Sequence, residues 1–235
     1  TATAGAARRA PAAAPFLASV GFVMGSRAYV LMLIGATFMG ANIWAAGAWS
    51  PTFLARVHHM TMTQVADALG PTRGLLGLVG ILGGGILIDR LGRHDARWRL
   101  RVPAIACLLV GPSEFLFLMG SSTPAWLAGF AGTTLLSLLH QPPAFAAAMN
   151  VARPRMRALS VAMMLLFATL FGQVIGPAMV GLLTDLLTPA YGPMAIRYSM
   201  LLIAVTPVLA GLCFWAASRF LEADTARAEG ADLAR

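Results

Sequence analysis

Gly85-Ile86-Leu87-Ile88-Asp89-Arg90-Leu91-Gly92-Arg93 closes one long apolar stretch and precedes another. One carboxylate, two guanidiniums and two glycines make this a polar turn. Such a turn cannot sit exposed in a hydrocarbon layer, so the chain leaves an apolar medium here and re-enters it. Working outward, the flanking runs are long enough to cross a bilayer, which takes about 20 residues per helix. Six such stretches are expected: Tyr29–Leu54, Thr72–Leu91, Val102–Met119, Pro124–Ala148, Met156–Leu187 and Met194–Phe220. The runs are too long for strands and lack alternation with a period of two, so the class is all-α membrane protein.

Composition agrees. The chain is 58% hydrophobic and 11% charged, with a mean hydropathy of +0.76. A soluble domain carries about one-quarter charged residues. The net charge is +8, all of the cations are arginine, and their placement decides what they mean. Arg90, Arg93, Arg97, Arg99 and Arg101 fill the second loop, and Arg153, Arg155 and Arg157 the fourth. Arg8, Arg9 and Arg27 precede the first span, and Arg219, Arg227 and Arg235 follow the last. Fourteen of the 17 arginines thus lie on one side, against Arg56 and Arg197 on the other and Arg73 at membrane depth. The excess of positive charge puts both termini in the cytoplasm of a multi-pass inner-membrane protein. It calls for no nucleic-acid partner; the partners expected are membrane lipids and a small-molecule or lipid substrate.

Residues 1–27 read as a cytoplasmic linker, Ala/Pro-rich up to residue 15, with a short interfacial helix over Phe16–Met24. Residues 28–221 form the transmembrane domain and 222–235 a cytoplasmic tail. The absence of an initiator Met and the N-terminal linker suggest a piece of a longer protein. The first span is expected to end at Trp49-Ser50-Pro51. Thr61-Met-Thr-Gln64 is a capping box that starts the second helix on the outer side, with Gly70-Pro71 as a kink. Gly74, Gly77, Gly80, Gly83, Gly84 and Gly85 let a neighbouring backbone approach. His140-Gln141-Pro142-Pro143 must break the fourth helix, and Gly172-Gln173-Val-Ile-Gly176-Pro177 is expected to break the fifth.

Several motifs together resemble the major facilitator superfamily. Gly85, Asp89, Arg90, Gly92 and Arg93 match its signature loop. Arg153-Pro-Arg155-Met-Arg157-Ala-Leu-Ser-Val-Ala162 resembles the basic loop before its eleventh helix, and Gly176-Pro177 with Gly181-Leu-Leu-Thr-Asp185 the helix itself. In finer detail, Trp49-Ser-Pro51-Thr-Phe-Leu54-Ala-Arg56-Val-His58 and Arg93-His-Asp95-Ala-Arg97-Trp98 are similar to the spinster-like branch. The resemblance implies helices seven to twelve of a twelve-helix transporter, paired around a central cavity with an N-terminal half or a second copy. It also implies alternating access. Spinster-like relatives handle lysophospholipids and phosphorylated sphingoid bases, some with proton coupling. The expected function is therefore secondary transport of an amphipathic anionic solute. The alternatives are transport of a polar organic anion such as a sugar acid, or a non-transporting membrane scaffold.

The resemblance makes Gly85, Asp89, Arg90, Gly92 and Arg93 a conformational latch on the cytoplasmic side. A carboxylate at a helix C-terminus is disfavoured by the helix dipole, so Asp89 needs a partner. Arg73 and Glu114 lie inside the membrane, where charged groups are costly and mark functional sites. Arg73 is about 24 Å above Asp89 along its helix and Glu114 about 22 Å above Arg99. Equal depth on adjacent helices predicts an ion pair, structural or functional. His140 and Gln141 beside the Pro-Pro break are proton or substrate candidates, or they satisfy freed carbonyls. Asn42 and Gln173 either face the cavity or bond between helices. Trp44 is deep enough to line the cavity, whereas Trp49, Trp98, Trp126 and Trp215 sit near span ends as interfacial anchors do.

Enzyme constellations are missing: there is no Gly-x-Ser-x-Gly, His-Glu-x-x-His or Cys-x-x-Cys. His58-His59 is a poor metal site, and the arginines around Asp89 and Asp95 disfavour a divalent cation. Cys107 and Cys213 read as apolar fillers. No metal and no cofactor are expected.

Overall fold

The computed structural model describes residues 16–233, so the Ala/Pro-rich linker with Arg8 and Arg9 lies outside the described residues, as does Arg235. Among the described residues all regular structure is helical. In chain order the helices are α1 (Phe16–Met24), α2 (Arg27–Val57), α3 (Met62–Leu91), α4 (Trp98–Met119), α5 (Thr123–Leu139) and α6 (Gln141–Asn150). They continue with α7 (Arg157–Leu166), α8 (Gly172–Tyr191), α9 (Ala195–Ile203), α10 (Val205–Ala217) and α11 (Leu221–Leu233). Four continuous helical stretches are long and apolar enough to cross a membrane: α2, α3, α4 and the run Pro154–Ala217. That last run turns at Gly192, whose φ of 54° suits glycine, and α8 packs back on α9.

The breaks in these helices have identifiable causes. Between α5 and α6 the chain stops at His140, because Pro142 and Pro143 have no N–H to continue the ladder. Between α9 and α10 Pro207 leaves the Ile203 carbonyl without its donor, and the Thr206 hydroxyl donates to it instead at 2.8 Å. Replacing Thr206 by Val leaves that carbonyl unpaired and costs about 1–3 kcal/mol; a thermal melt of the purified protein measures it. Two expected stops are absent. Helix α2 runs through Pro51 because Phe53, Leu54 and Val57 beyond it are buried in the outer core. Helix α8 runs through Pro177, and the irregularity sits upstream as a π-helical turn over Phe167–Phe171. There the α2 backbone at Gly40 and Ala41 comes against Ala168, Gly172 and Gly176, with no side chain between the two helices. The capping box at Thr61 and Gln64 forms as read.

The α3 glycines divide by face. Gly77, Gly80 and Gly84 lie against Leu135, Leu138 and Leu139 of α5, while Gly74, Gly83 and Gly85 face open space. Small residues thus let α3 and α5 touch backbone to side chain and backbone to backbone.

At one end of the bundle α11 is helical and docked rather than a free tail. The Asp224 carboxylate accepts from Ser26 Oγ at 2.7 Å and from the Ala28 N–H at 2.8 Å, capping α2. Arg227 donates to the Gly25 and Phe22 carbonyls at the end of α1, and Glu222 pairs with Arg97 at 3.1 Å. Asp224→Ala removes a cap worth about 1 kcal/mol. Glu222→Gln breaks a half-exposed pair worth less. Thermal melts are expected to rank the two in that order.

A cavity shared by the membrane-depth polar residues

A cavity of about 280 Å³ opens between α2, α3, α4 and α5. Asn42, Arg73 and Glu114 line it, with Trp44, Phe117 and Phe130 as aromatic walls. Glu114 is 2% exposed. Its carboxylate accepts from Asn42 Nδ2 at 2.6 Å. Here the expected Arg73–Glu114 ion pair is corrected: the two groups share a cavity but do not pair. Among the described residues the ion pairs are Arg97–Glu222 and Arg101–Asp95. Arg73 lies instead over the Phe130 ring, 5.8 Å from its centroid. The Asn42 amide on α2 holds the Glu114 carboxylate of α4 across the bundle, a contact that depth along α3 and α4 does not reveal.

The wall carries more polarity than the sequence suggested. Asn42 Oδ1, Ser50 Oγ and Thr133 Oγ1 are buried without a hydrogen-bond partner, and all three residues line this cavity. Thr134 and Ser137 of α5 stand beside them. Buried polar atoms are normally paired, so three orphans around one space mark a place for a polar guest or water. The signal available in the sequence was Thr133-Thr134 with Ser137 one turn later, a hydroxyl-bearing face on an otherwise apolar helix.

A second cavity, of about 160 Å³, lies next to it and shares Ile43 and Trp44 as wall. His140 and Gln141 line it. The His140 ring is buried, hydrogen-bonded through Nδ1 to the Ser137 carbonyl and packed against Phe214. That carbonyl is an acceptor, so Nδ1 carries the hydrogen. Trp44→Ala is expected to merge the two cavities and to broaden the range of solutes that bind; competition assays with solutes of increasing size check this.

Gln173 is exposed on α8 and lines neither cavity. Trp126 is 2% exposed and packs against His58, so it is a core residue and not an interfacial anchor. Trp49 donates to the Pro177 carbonyl at 3.0 Å, tying α2 to α8.

At the arginine-rich end, Asp89, Gly92 and Arg93 line a cavity of about 340 Å³ with Arg99 and Asn150. The Arg99 side chain lies over Gly92, so a Cβ at that position would crowd it. Asp89 has no ion-pair partner among the described residues, although Arg93 and Arg99 stand around the same space. Gly85 and Arg90 lie off this wall. At the opposite end His58 neighbours Arg197, and burial together with that cation holds its imidazole below the ordinary value.

The chain is thus an apolar helical bundle with a cavity among polar side chains inside it and an arginine-rich turn at one end. No family model matches the chain. It is 31% identical over 191 residues to an MFS-type efflux pump of Mycolicibacterium smegmatis, covering 81% of this chain and 44% of the pump. It is 27% identical over 223 residues to protein spinster homolog 1 of Rattus norvegicus, covering 86% of this chain and 42% of that protein. The fold matches a bacterial homologue of the human lysosomal transporter Spinster, in its inward-facing and unoccupied conformation, with a TM-score of 0.74. That match is at 18% identity and covers 89% of this chain and 51% of the other. The chain belongs to the major facilitator superfamily, with spinster homologues among its relatives. It spans about half the length of the relatives it matches.

Proposed function

We propose that the chain is the C-terminal six-helix half of a secondary transporter that moves an amphipathic anionic solute, lysolipid-like, by alternating access. The six spans are α2, α3, α4, the α5–α6 pair, the π-interrupted α7–α8 pair and the α9–α10 pair, with both termini cytoplasmic in the inner membrane. Arginines meeting at the α1 and α11 end support that orientation. An N-terminal half, or a second copy, completes the pathway.

The observation that carries the reading is the cavity around Arg73. A guanidinium held at membrane depth offers a site for an anion, three unpartnered polar atoms offer hydrogen bonds, and aromatic walls accept an apolar body. These walls favour an amphipathic solute over a sugar acid. The open space, with polar side chains set into an apolar wall, speaks against a scaffold, whose core would be packed shut. Glu114 is the candidate for a coupling proton, because a buried carboxylate bonded to one amide has a proton-accepting oxygen to spare.

Transport into liposomes by the intact transporter tests this. Arg73→Gln is expected to cut uptake of a fluorescent lysophosphatidic acid at least ten-fold, whereas Arg73→Lys retains part of it. If a sugar acid is taken up instead, or Arg73→Gln changes nothing, the assignment of the solute to this cavity is wrong. For the cytoplasmic latch, Asp89→Asn is expected to shift the conformer ratio about ten-fold toward inward-open, a change of about 1.4 kcal/mol. Distances between spin labels on the cytoplasmic side read it.

A further inference from the structure

Two grooves on the outside of α2 join end to end. The first lies at the arginine-rich end and is walled by Gly25, Ser26, Arg27 and Phe220, with a volume of about 310 Å³. The second, of about 370 Å³, continues along α2 past Leu33, Ile34 and Phe38 to Phe167 and Phe171. Met24 and Val30 belong to both. The upper groove is polar at its rim; the lower one is not. Its one hydroxyl, on Thr37, donates to the Leu33 carbonyl at 2.8 Å, so the trench side chains offer a ligand no hydrogen-bond donor. The π-helical turn sets Phe167 and Phe171 side by side, ring centroids 5.1 Å apart, as its far wall.

From these features we infer that the joined groove is a binding site for one anionic phospholipid of the cytoplasmic leaflet, its phosphate at Arg27 and one acyl chain in the trench. Length supports this: Arg27 to Phe38 is about 16 Å of helix, close to one leaflet of a hydrocarbon core about 30 Å thick. Charge supports it too. Arg27 makes no hydrogen bond or ion pair among the described residues and only overhangs the Phe220 ring at 5.9 Å. Arg153 and Arg227 flank the same end, stacked on Phe22 of α1. The nearby Asp224 carboxylate already holds Ser26 and the Ala28 N–H, so cations dominate the rim. The α1 helix next to it exposes Phe16 and Leu17, as a helix lying on a lipid surface does. The site stands apart from the Arg73 cavity and does not depend on what that cavity transports.

The intact wild-type protein in vesicles of phosphatidylcholine with one-quarter phosphatidylglycerol, the latter carrying a diazirine in its acyl chain, gives the test. Photo-adducts mapped by peptide mass spectrometry are expected to concentrate at Ile34–Phe38 and Phe167–Phe171. A diazirine phosphatidylcholine is expected to label these segments at least five-fold less. Arg27→Gln is expected to remove that head-group preference, and Ile34→Trp, which fills the trench, to remove the adducts. Adducts spread evenly over the exposed faces of α3 and α8, or equal labelling by the two lipids, would overturn the site. So would a trench shielded from every lipid because another part of the transporter covers it.

Discussion

Glu114→Gln is expected to leave the protein folded and to abolish coupled transport. The Gln carbonyl oxygen accepts the same hydrogen bond that Asn42 Nδ2 gives the carboxylate at 2.6 Å. Shape and volume are preserved in a site that is 2% exposed. Removing an ionisable group from such a site does not destabilise, since a buried charge contributes little net stability. What disappears is the capacity to gain and lose a proton. Solute uptake should fall at least ten-fold, and its dependence on external pH should flatten. Asn42→Ala is the informative contrast. It strips the carboxylate of its donor while leaving it buried, which costs about 3 kcal/mol. The melting temperature should drop sharply with Asn42→Ala and stay within a degree or two with Glu114→Gln. Equal melting losses would mean that Glu114 is structural, and undiminished pH-dependent uptake with Glu114→Gln would remove it from coupling.

The second large effect concerns the α2–α8 contact. Gly176→Val is expected to prevent the bundle from assembling, because a side chain there would overlap the Ala41 backbone. Gly172 faces Gly40 in the same way. Backbone cannot swing aside as a side chain can, so the helices must part. Separation also loosens the Trp49 bond to the Pro177 carbonyl. Overpacking of this kind costs about 1–3 kcal/mol or more, and in a membrane close packing is itself what holds helices together. By contrast, Gly83→Ala points into open space and should be neutral. The yield of monodisperse protein after gel filtration distinguishes the two. If Gly176→Val gave normal yield, α2 and α8 would not be in contact as described.

The cavity was partly legible in the sequence. Arg73 and Glu114 were visible because an ionisable group inside an apolar run has only costly explanations. Asn42 and Trp44 were visible as polar and aromatic side chains at depth. Their partners were not. Helical rise gives depth along one axis, but the identity of a neighbour depends on the rotation of each helix, and that is set by packing across the bundle. Asn42 therefore takes the contact expected of Arg73. Gln173 illustrates the same limit from the other side, being at plausible depth and on an exposed face.

By itself the sequence determined the membrane class, the end of α3 at Leu91 ahead of the turn that holds Gly92 and Arg93, the capping box at Thr61 and the break at His140. Each follows from local chemistry: apolar run length, clustered charge, a reciprocal cap, or a proline without an N–H. The tertiary structure alone decided that α2 outlasts Pro51, that α8 absorbs Pro177 and that α11 folds back onto α1 and α2. It also decided that three unpartnered polar atoms from α2 and α5 surround one space with Arg73 and Glu114. These outcomes rest on burial and on contacts between residues far apart in the chain, where long-range packing outweighs local preference.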